Sequence, residues 1–484
     1  MGAAAAIALA IYAGMPESDG VRLSPVVFAL PALAASIALA LRRPLISMTL
    51  VFGLMGFSGT LAVNTPVPVR AAVWLLLVGL MASVAISYLV SIRSQRVAVW
   101  PGFIALGAYV LYTAALIPFA ETPQIGARAF LAGPAFIVVF LVIAYARWGR
   151  STRRRMVEAF ILVAALAGAY TLFRLFVGPT AAEESIARRS AQVGGELALF
   201  GSLPNRVELG GFSAISAPVL FALALGLRGR WRLLSAAAFA LMVVGLIGSQ
   251  VRIALVAAVA GIVLVLLLFQ LSRAFPTARS ASIIMAVAGL LIAGSLGYAL
   301  TIADSPTKVE RFERILHPGS DYSFQQRVRK WSAAVDEINR EPLGQGLGTA
   351  GMTERRYSQV LRLDNFYIDN SYLQLGIQFG YPGLILLGTG AVLMLWSLIR
   401  SSVLSSDRQL AALGIAASGA LLTWLVDLLG GSNYESWGAL LLWLFLGLVA
   451  GAFVSSASLP QPLAPARRSD SSSRSSRRRG ALPR

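Results

Sequence analysis

The chain has 484 residues, 57% hydrophobic and only 13% charged, with 41 Lys and Arg, 22 Asp and Glu and a single His. Soluble domains carry about 25% charged residues, so this composition excludes a water-soluble fold and places the chain in a membrane. The formal net charge of +19 and the absence of cysteine add two exclusions: arginines scattered in small groups between apolar runs do not form a nucleic-acid surface, and neither disulfides nor thiolate metal sites are available.

Apolar runs recur at 2–14, 24–41, 45–63, 71–92, 98–119, 126–146, 156–177, 212–227, 233–250, 253–271, 281–303, 371–399, 409–429 and 436–455. Most approach the roughly 18–25 residues with which a helix crosses a ~30 Å hydrocarbon core, and none shows the ~10-residue alternation of a membrane barrel. The expected fold is all-α, a polytopic membrane bundle of about 12–14 transmembrane helices with a large extracytoplasmic helical loop. The run at 2–14 is short, lacks a basic start and precedes further spans, so it does not read as a cleaved signal.

If the runs alternate across the bilayer, Arg42/Arg43, Arg93/Arg96, Arg147 through Arg155, Arg228/Arg230/Arg232, Arg273/Arg279 and Arg400/Arg408 all fall on one side. An excess of Lys and Arg in short loops marks the cytoplasm. Both termini belong to that side, and the tail "PARRSDSSSRSSRRRGALPR" reads as a disordered basic segment beside anionic headgroups. The chain thus divides into N-terminal spans (1–177), central spans with a first outer loop (178–303), a large extracytoplasmic loop (304–370), C-terminal spans (371–455) and the tail (456–484).

Arg206, in "LPNRVELGGFSAISAPVL", and Arg252, in "GSQVRIALVAAVAG", stand where outward-facing turns lead into spans. Arginine near the bilayer is costly, and its planar fork suits bidentate binding of phosphate; snorkelling to headgroups is the alternative. In the long loop, Phe324, Val328, Trp331, Val335 and Ile338 recur at helical spacing, with Ser323 and Gln326 as a capping box and Pro342 and Gly344 as the stop. The expectation is an amphipathic helix packing its apolar stripe on the bundle. Arg327 lies one turn before Trp331, and with Arg206 and Arg252 it would make a cationic pocket for a diphosphate headgroup.

"EPLGQGLGTAG" follows a helix and lacks both the Lys-Ser/Thr ending and the flanking strand of a phosphate loop, so it reads as a turn. His317 precedes a proline without partner ligands and forms no metal site. Asp427, inside "LLTWLVDLLGG", is a candidate partner for one of the arginines, and Arg174 lies at similar depth; a structural role stays open for both. In "DNFYIDNSYLQLGIQFGYPG", Asp364 and Asp369 each precede an Asn, and Asp369-Asn370 opens an apolar helix interrupted at Gly380 to Gly383. A plain helix cap is the local reading of that pair.

Taken in order, Arg206 with Gly210 to Phe212, Ser249 to Arg252, Arg327 to Trp331 running into "PLGQGLG", and "DNSYLQLGIQFGYPG" resemble the O-antigen ligase and polymerase superfamily of bacterial membrane glycosyltransferases. The resemblance covers roughly 190–400 and is carried mainly by the last two pieces. It implies a metal-independent enzyme without cofactor, in the bacterial cytoplasmic (inner) membrane, with its site on the extracytoplasmic side. Such an enzyme takes a glycan from an undecaprenyl diphosphate carrier and passes it to a hydroxyl on a glycan, lipid or protein. It further implies Asp369 as the catalytic residue and Arg206, Arg252, Arg327 and Asn370 as substrate-binding residues.

Ligases of this family usually carry His-Asn where this chain has Asp369-Asn370. A carboxylate can accept the acceptor's proton in the same geometry, but a helix N-terminus favours its charged form and makes it a weaker base than imidazole. Direct displacement at the anomeric carbon, with inversion, is the expected chemistry; Asp321 and Asp364 stay open as a second carboxylate. Two other classes compete. A transporter or flippase would show interrupted spans at corresponding positions in two halves, where this sequence shows one clear interruption. A non-catalytic assembly partner would tolerate loss of the arginines.

Overall fold

A computed structural model describes residues 25–65, 68–90, 99–120, 122–146, 148–184, 192–193, 196–197, 199, 201–275, 289, 294, 322–350, 368–431 and 433–457. The expected run at 2–14, nearly all of 281–303, the loop residues His317, Asp321 and Asp364, and the tail from 458 lie outside them.

In chain order the helices are α1 (Pro25–Arg42), α2 (Pro44–Gly56), α3 (Ser58–Asn64), α4 (Val69–Val90), α5 (Pro101–Ala115), α6 (Pro123–Ala132), α7 (Pro134–Ala144), α8 (Arg150–Val177), α9 (Arg206–Gly226), α10 (Arg230–Gly248), α11 (Arg252–Leu271), α12 (Tyr322–Arg340), α13 (Ser371–Leu404), α14 (Arg408–Asp427) and α15 (Trp437–Ala457). The chain is an all-α polytopic membrane bundle; Gln192–Val193 and Glu196–Leu197 add a two-residue antiparallel ladder. Among the described residues nine helices are long and apolar enough to cross a membrane, and two bent pairs bring the crossings to eleven.

The middle of the bundle is formed by α9, α14 and α15, of whose apolar windows 89%, 67% and 83% are buried by protein. Lipid is as apolar as these side chains, so close backbone approach rather than hydrophobic burial holds the helices together, and small residues sit where they cross. A Cβ on Gly438 would stand 3.0 Å from the Gly211 carbonyl group, and one on Gly261 of α11 would strike Thr423 of α14. Outward-facing Ile385, Val392 and Trp396 of α13 present the apolar surface expected toward lipid.

The two ends of the bundle differ. Arg150 pairs with Asp407 at 2.5 Å, Arg408 donates to the Gly226 carbonyl at 3.3 Å, and Arg153 reaches Ala146, Gly451 and Ser455. The basic breaks around α8, α9, α10, α14 and α15 therefore gather at one end, as charge alternation along the sequence requires.

Among the described residues three spans are broken rather than one. The run at 45–63 becomes α2 and α3, bent by 76° at Phe57, and the run at 126–146 becomes α6 and α7, bent by 51° at Gly133-Pro134. The third break is the expected one, at Gly380 of α13, with φ 62° and ψ −167°. Run length passes over the first two, although Gly133-Pro134 in the second is a helix-breaking pair.

Each break frees backbone groups that have no water to bind at membrane depth, so other protein groups must satisfy them. Beside the first, Ser202 donates its hydroxyl to the Gly56 carbonyl at 2.6 Å and accepts at its own carbonyl from Gly59 and Thr60. The second is filled by the ring of Tyr434, whose hydroxyl meets that of Tyr109 at 2.6 Å. Burial pushes the Tyr434 phenol well above its ordinary ionisation range, so it stays neutral. At the third, Gln345 and Gly346 donate backbone N–H groups to the Ile377 and Gln378 carbonyls at 2.7 and 3.1 Å, and Tyr112 donates its hydroxyl to the Phe379 carbonyl at 3.1 Å. "PLGQGLG" is thus a turn, as expected, shaped to dock on a broken helix, with Gly344, Gly346 and Gly348 all at positive φ.

Candidate functional site

The long-loop helix α12 starts at Tyr322, one residue before the expected cap Ser323. It lies on α13 through Trp331, Ala334 and Ile338, which pack with Ala350, Ile368, Leu373 and Ile377. Val328 and Val335, expected in the same stripe, are instead 45% and 43% exposed. Small Ala334 takes the contact between Trp331 and Ile338, and this rolls the larger valines outward.

The start of α13 is capped by Asn370, whose side-chain oxygen accepts from the Tyr372 and Leu373 amides at 3.0 and 3.2 Å. This is the helix-cap role read from the sequence. Asp369 therefore stands just outside the helix, where the N-terminal dipole favours an anion. Its carboxylate lies 3.0 Å from the Arg327 guanidinium, with side chains 27% and 36% exposed. Two residues separated by most of a loop thus meet at one helix mouth. Next to them, Gln374 donates to the Ile368 carbonyl at 2.5 Å, and Ser371 donates its amide to Leu428 and its hydroxyl to Gly431, tying α13 to the corner after α14.

Arg206 and Arg252 begin α9 and α11 and are both partly buried. Asn205 caps α9, accepting from the Val207 and Glu208 amides at 2.9 Å each. Gly210, one turn beyond Arg206, lies against Ser249 and Val251; a Cβ there would sit 3.0 and 2.9 Å from them. Gln250 in that turn has φ 55°, the one positive-φ non-glycine among the described residues. Gly430 in turn lies against Ile253, where a Cβ would be 2.9 Å from its side chain. The starts of α9 and α11 therefore abut the corner at 428–431 that Ser371 holds. Contact with the carboxylate is made by Arg327, while Arg206 and Arg252 are brought to the same end of the bundle.

For Asp427 and Arg174, whose structural role stayed open in the sequence, the contacts are structural. Asp427 takes no arginine: its carboxylate accepts from Asn433 at 2.6 Å, deep between α14 and the turn before α15. Arg174 makes a local cluster, pairing with Glu183 at 3.1 Å and donating to the Tyr170 hydroxyl at 2.8 Å, which is the structural reading. Sequence reasoning also missed residues at this end. Arg70, starting α4, donates to the Glu435 carbonyl at 3.1 Å and lies 5.4 Å over Trp437. Glu208 accepts the Trp437 amide at 2.9 Å, serving a second helix start. The signal for Arg70 was available: like Arg206 and Arg252, it is an arginine on the side that should lack them. Among the described residues no three His, Cys, Asp or Glu side chains are grouped to share a metal ion.

Residues 237–388 match the family model described as O-antigen ligase. The matched interval contains Arg252, Arg327, Asp369 and Asn370 and the loop that docks on Gly380; Arg206 precedes it. A comparison with curated proteins finds no match.

Proposed function

We propose, for a chain that carries an O-antigen ligase family domain over residues 237–388, that it transfers a glycan from undecaprenyl diphosphate to an acceptor hydroxyl on the outer face of the bacterial inner membrane. The domain makes it a ligase-like or polymerase membrane enzyme; the carrier, the orientation and the residue roles are our reading. One observation carries that reading: Asp369 and Arg327 form an ion pair at the mouth of α13, at the end of the bundle opposite the basic breaks.

In this mechanism one Asp369 oxygen is held by Arg327 and the other accepts the acceptor's hydroxyl proton. The acceptor oxygen bonds to the anomeric carbon as the bond from that carbon to the diphosphate oxygen breaks, inverting the centre. The lipid diphosphate leaves with the electron pair, its added charge met by Arg206 and Arg252. Asn370 holds the start of α13 in place. Arg327 is a positioning residue, fixing the rotamer of the carboxylate.

The transporter reading gains two broken spans. Counted along fourteen runs, however, the breaks fall in the third, sixth and twelfth, which are not corresponding positions in two halves. The test is genetic. Deletion should make lipid-linked glycan accumulate, and wild type should clear it while Arg252→Ala and Asp369→Ala, at equal membrane levels, should not. Full clearance by Asp369→Ala would remove the proposed base.

A further inference from the structure

A cavity of about 360 Å³ opens at the basic end of the bundle, where α8, the turn from α9 into α10 and the start of α14 meet. Each of these elements gives an arginine to its wall: Arg154 from α8, Arg228 from the turn and Arg408 from α14. A surplus of arginine in the loops at one end of a membrane protein is general. It does not by itself make arginines from distant segments line one hollow.

Acids do not neutralise this group. Of the two carboxylates at the junction among the described residues, Glu158 is taken by Arg154 at 2.9 Å, and Asp407 pairs with Arg150 and accepts the Gln409 and Leu410 amides. Arg228 is exposed, and together with Arg232, on the first turn of α10, it repels the Arg408 guanidinium. The donors are also within reach. Arg154 bonds Glu158 through Nε and has a side chain 59% exposed, and Arg408 bonds the Gly226 carbonyl through Nε and rests 4.9 Å from the centre of the Phe275 ring. In both, the terminal nitrogens keep their hydrogens for a ligand. A guanidinium anchored in this way presents the planar edge that binds two oxygens of a phosphate.

The rest of the wall is apolar, from Leu227, Leu413 and Trp231, and Leu233, two residues beyond the indole, is 73% exposed, as a side chain facing lipid would be. Arginines beside apolar surface, with an indole between them, match the boundary where headgroup meets acyl chain, and basic pockets between spans suit anionic headgroups. The volume is at the lower end of the ~300–1,000 Å³ of small-molecule sites, enough for a headgroup with its chains outside.

We infer that this cavity holds the phosphate of an anionic phospholipid from the leaflet at the basic end, the cytoplasmic one in the proposed orientation. The lipid carries no cation in its headgroup, because an ammonium would meet uncompensated arginines. Bound there, it bridges α8, α10 and α14. The site lies at the opposite end of the bundle from Asp369 and does not depend on the transferase reading.

The test titrates full-length protein in uncharged detergent with phosphatidylglycerol, with phosphatidylcholine of the same chains and with inorganic phosphate, counting bound molecules by native mass spectrometry. Arg228 is exposed and has no ion-pair partner among the described residues, so its replacement spares the packing. Arg228→Glu should weaken phosphatidylglycerol at least about ten-fold, and Arg228→Lys should weaken it less. Arg155→Glu makes the same charge change at an exposed position of α8 outside the wall and should stay within about two-fold of wild type. Wild type should prefer phosphatidylglycerol to phosphatidylcholine by at least about ten-fold. Equal losses in Arg228→Glu and Arg155→Glu, or equal affinity for the two lipids, would overturn the inference. So would inorganic phosphate binding that depends on Arg228 while phosphatidylglycerol binding does not, which would assign the cavity to a soluble phosphate compound.

Discussion

In the proposed mechanism Asp369 and Arg327 carry the chemistry, and they carry little of the stability. Both side chains are partly exposed, at 27% and 36%, and pairs so placed contribute about 1 kcal/mol or less. Asp369→Asn should therefore leave thermal unfolding in detergent nearly unchanged while slowing transfer by about 10²- to 10⁴-fold, the usual worth of a general base. Arg327→Gln should slow transfer less, and the double variant should be no slower than Asp369→Asn, because the arginine acts through the carboxylate. Multiplying losses in the double variant would show that Arg327 binds substrate by itself. At this scale the sequence was legible where motif and position coincided, as with Asn370 and its cap. It left Asp427 open, because a lone acid in an apolar run does not announce whether an arginine or an amide such as Asn433 will meet it.

Broken helices are how the elements place these residues. Each break is sealed by a segment that leads toward the site: Ser202 ahead of α9, Tyr434 ahead of α15, and the 342–348 loop after α12. Gly380 is the most constrained of these positions. Its dihedrals fall in a region essentially confined to glycine, and a Cβ there would collide with the Pro342 carbonyl. Gly380→Ala should cost about 2–4 kcal/mol of stability, read as a lower denaturation midpoint, combining backbone strain with the displaced loop. Gly388→Ala, on the same helix with open space where the Cβ would go, should stay within about 0.5 kcal/mol of wild type. On α12, Ile338→Ala should cost about 2–5 kcal/mol and Val335→Ala about 0.5 kcal/mol or less, since only Ile338 is buried. The seven-residue recurrence of apolar positions located that helix, but Val335 and Ala334 are adjacent, and periodicity alone cannot say which one faces the bundle.

The whole molecule has two chemically distinct ends, and the proposed orientation rests on them. The chain contains no cysteine, so single replacements report cleanly. Asn64→Cys at the site end and Ser406→Cys at the basic end are both exposed. A membrane-impermeant maleimide should label the first in intact spheroplasts and the second only after lysis; the reverse pattern would place the site in the cytoplasm. The bundle was legible because apolar length and arginine spacing are linear properties of a chain. The bend at Phe57 was not, since apolar composition runs through it, whereas Gly133-Pro134 carried a local breaker signal that run length alone passes over. Central to the account is that Asp369 and the arginines act on a lipid-linked glycan. Its most direct measurement is single-turnover transfer by purified full-length protein in liposomes supplied with undecaprenyl diphosphate-linked glycan and acceptor. The account predicts release of undecaprenyl diphosphate with glycan transfer by wild type, and a loss of at least about 100-fold in Asp369→Asn and Arg252→Ala proteins that remain folded. Transfer at the wild-type rate by those two variants would contradict it.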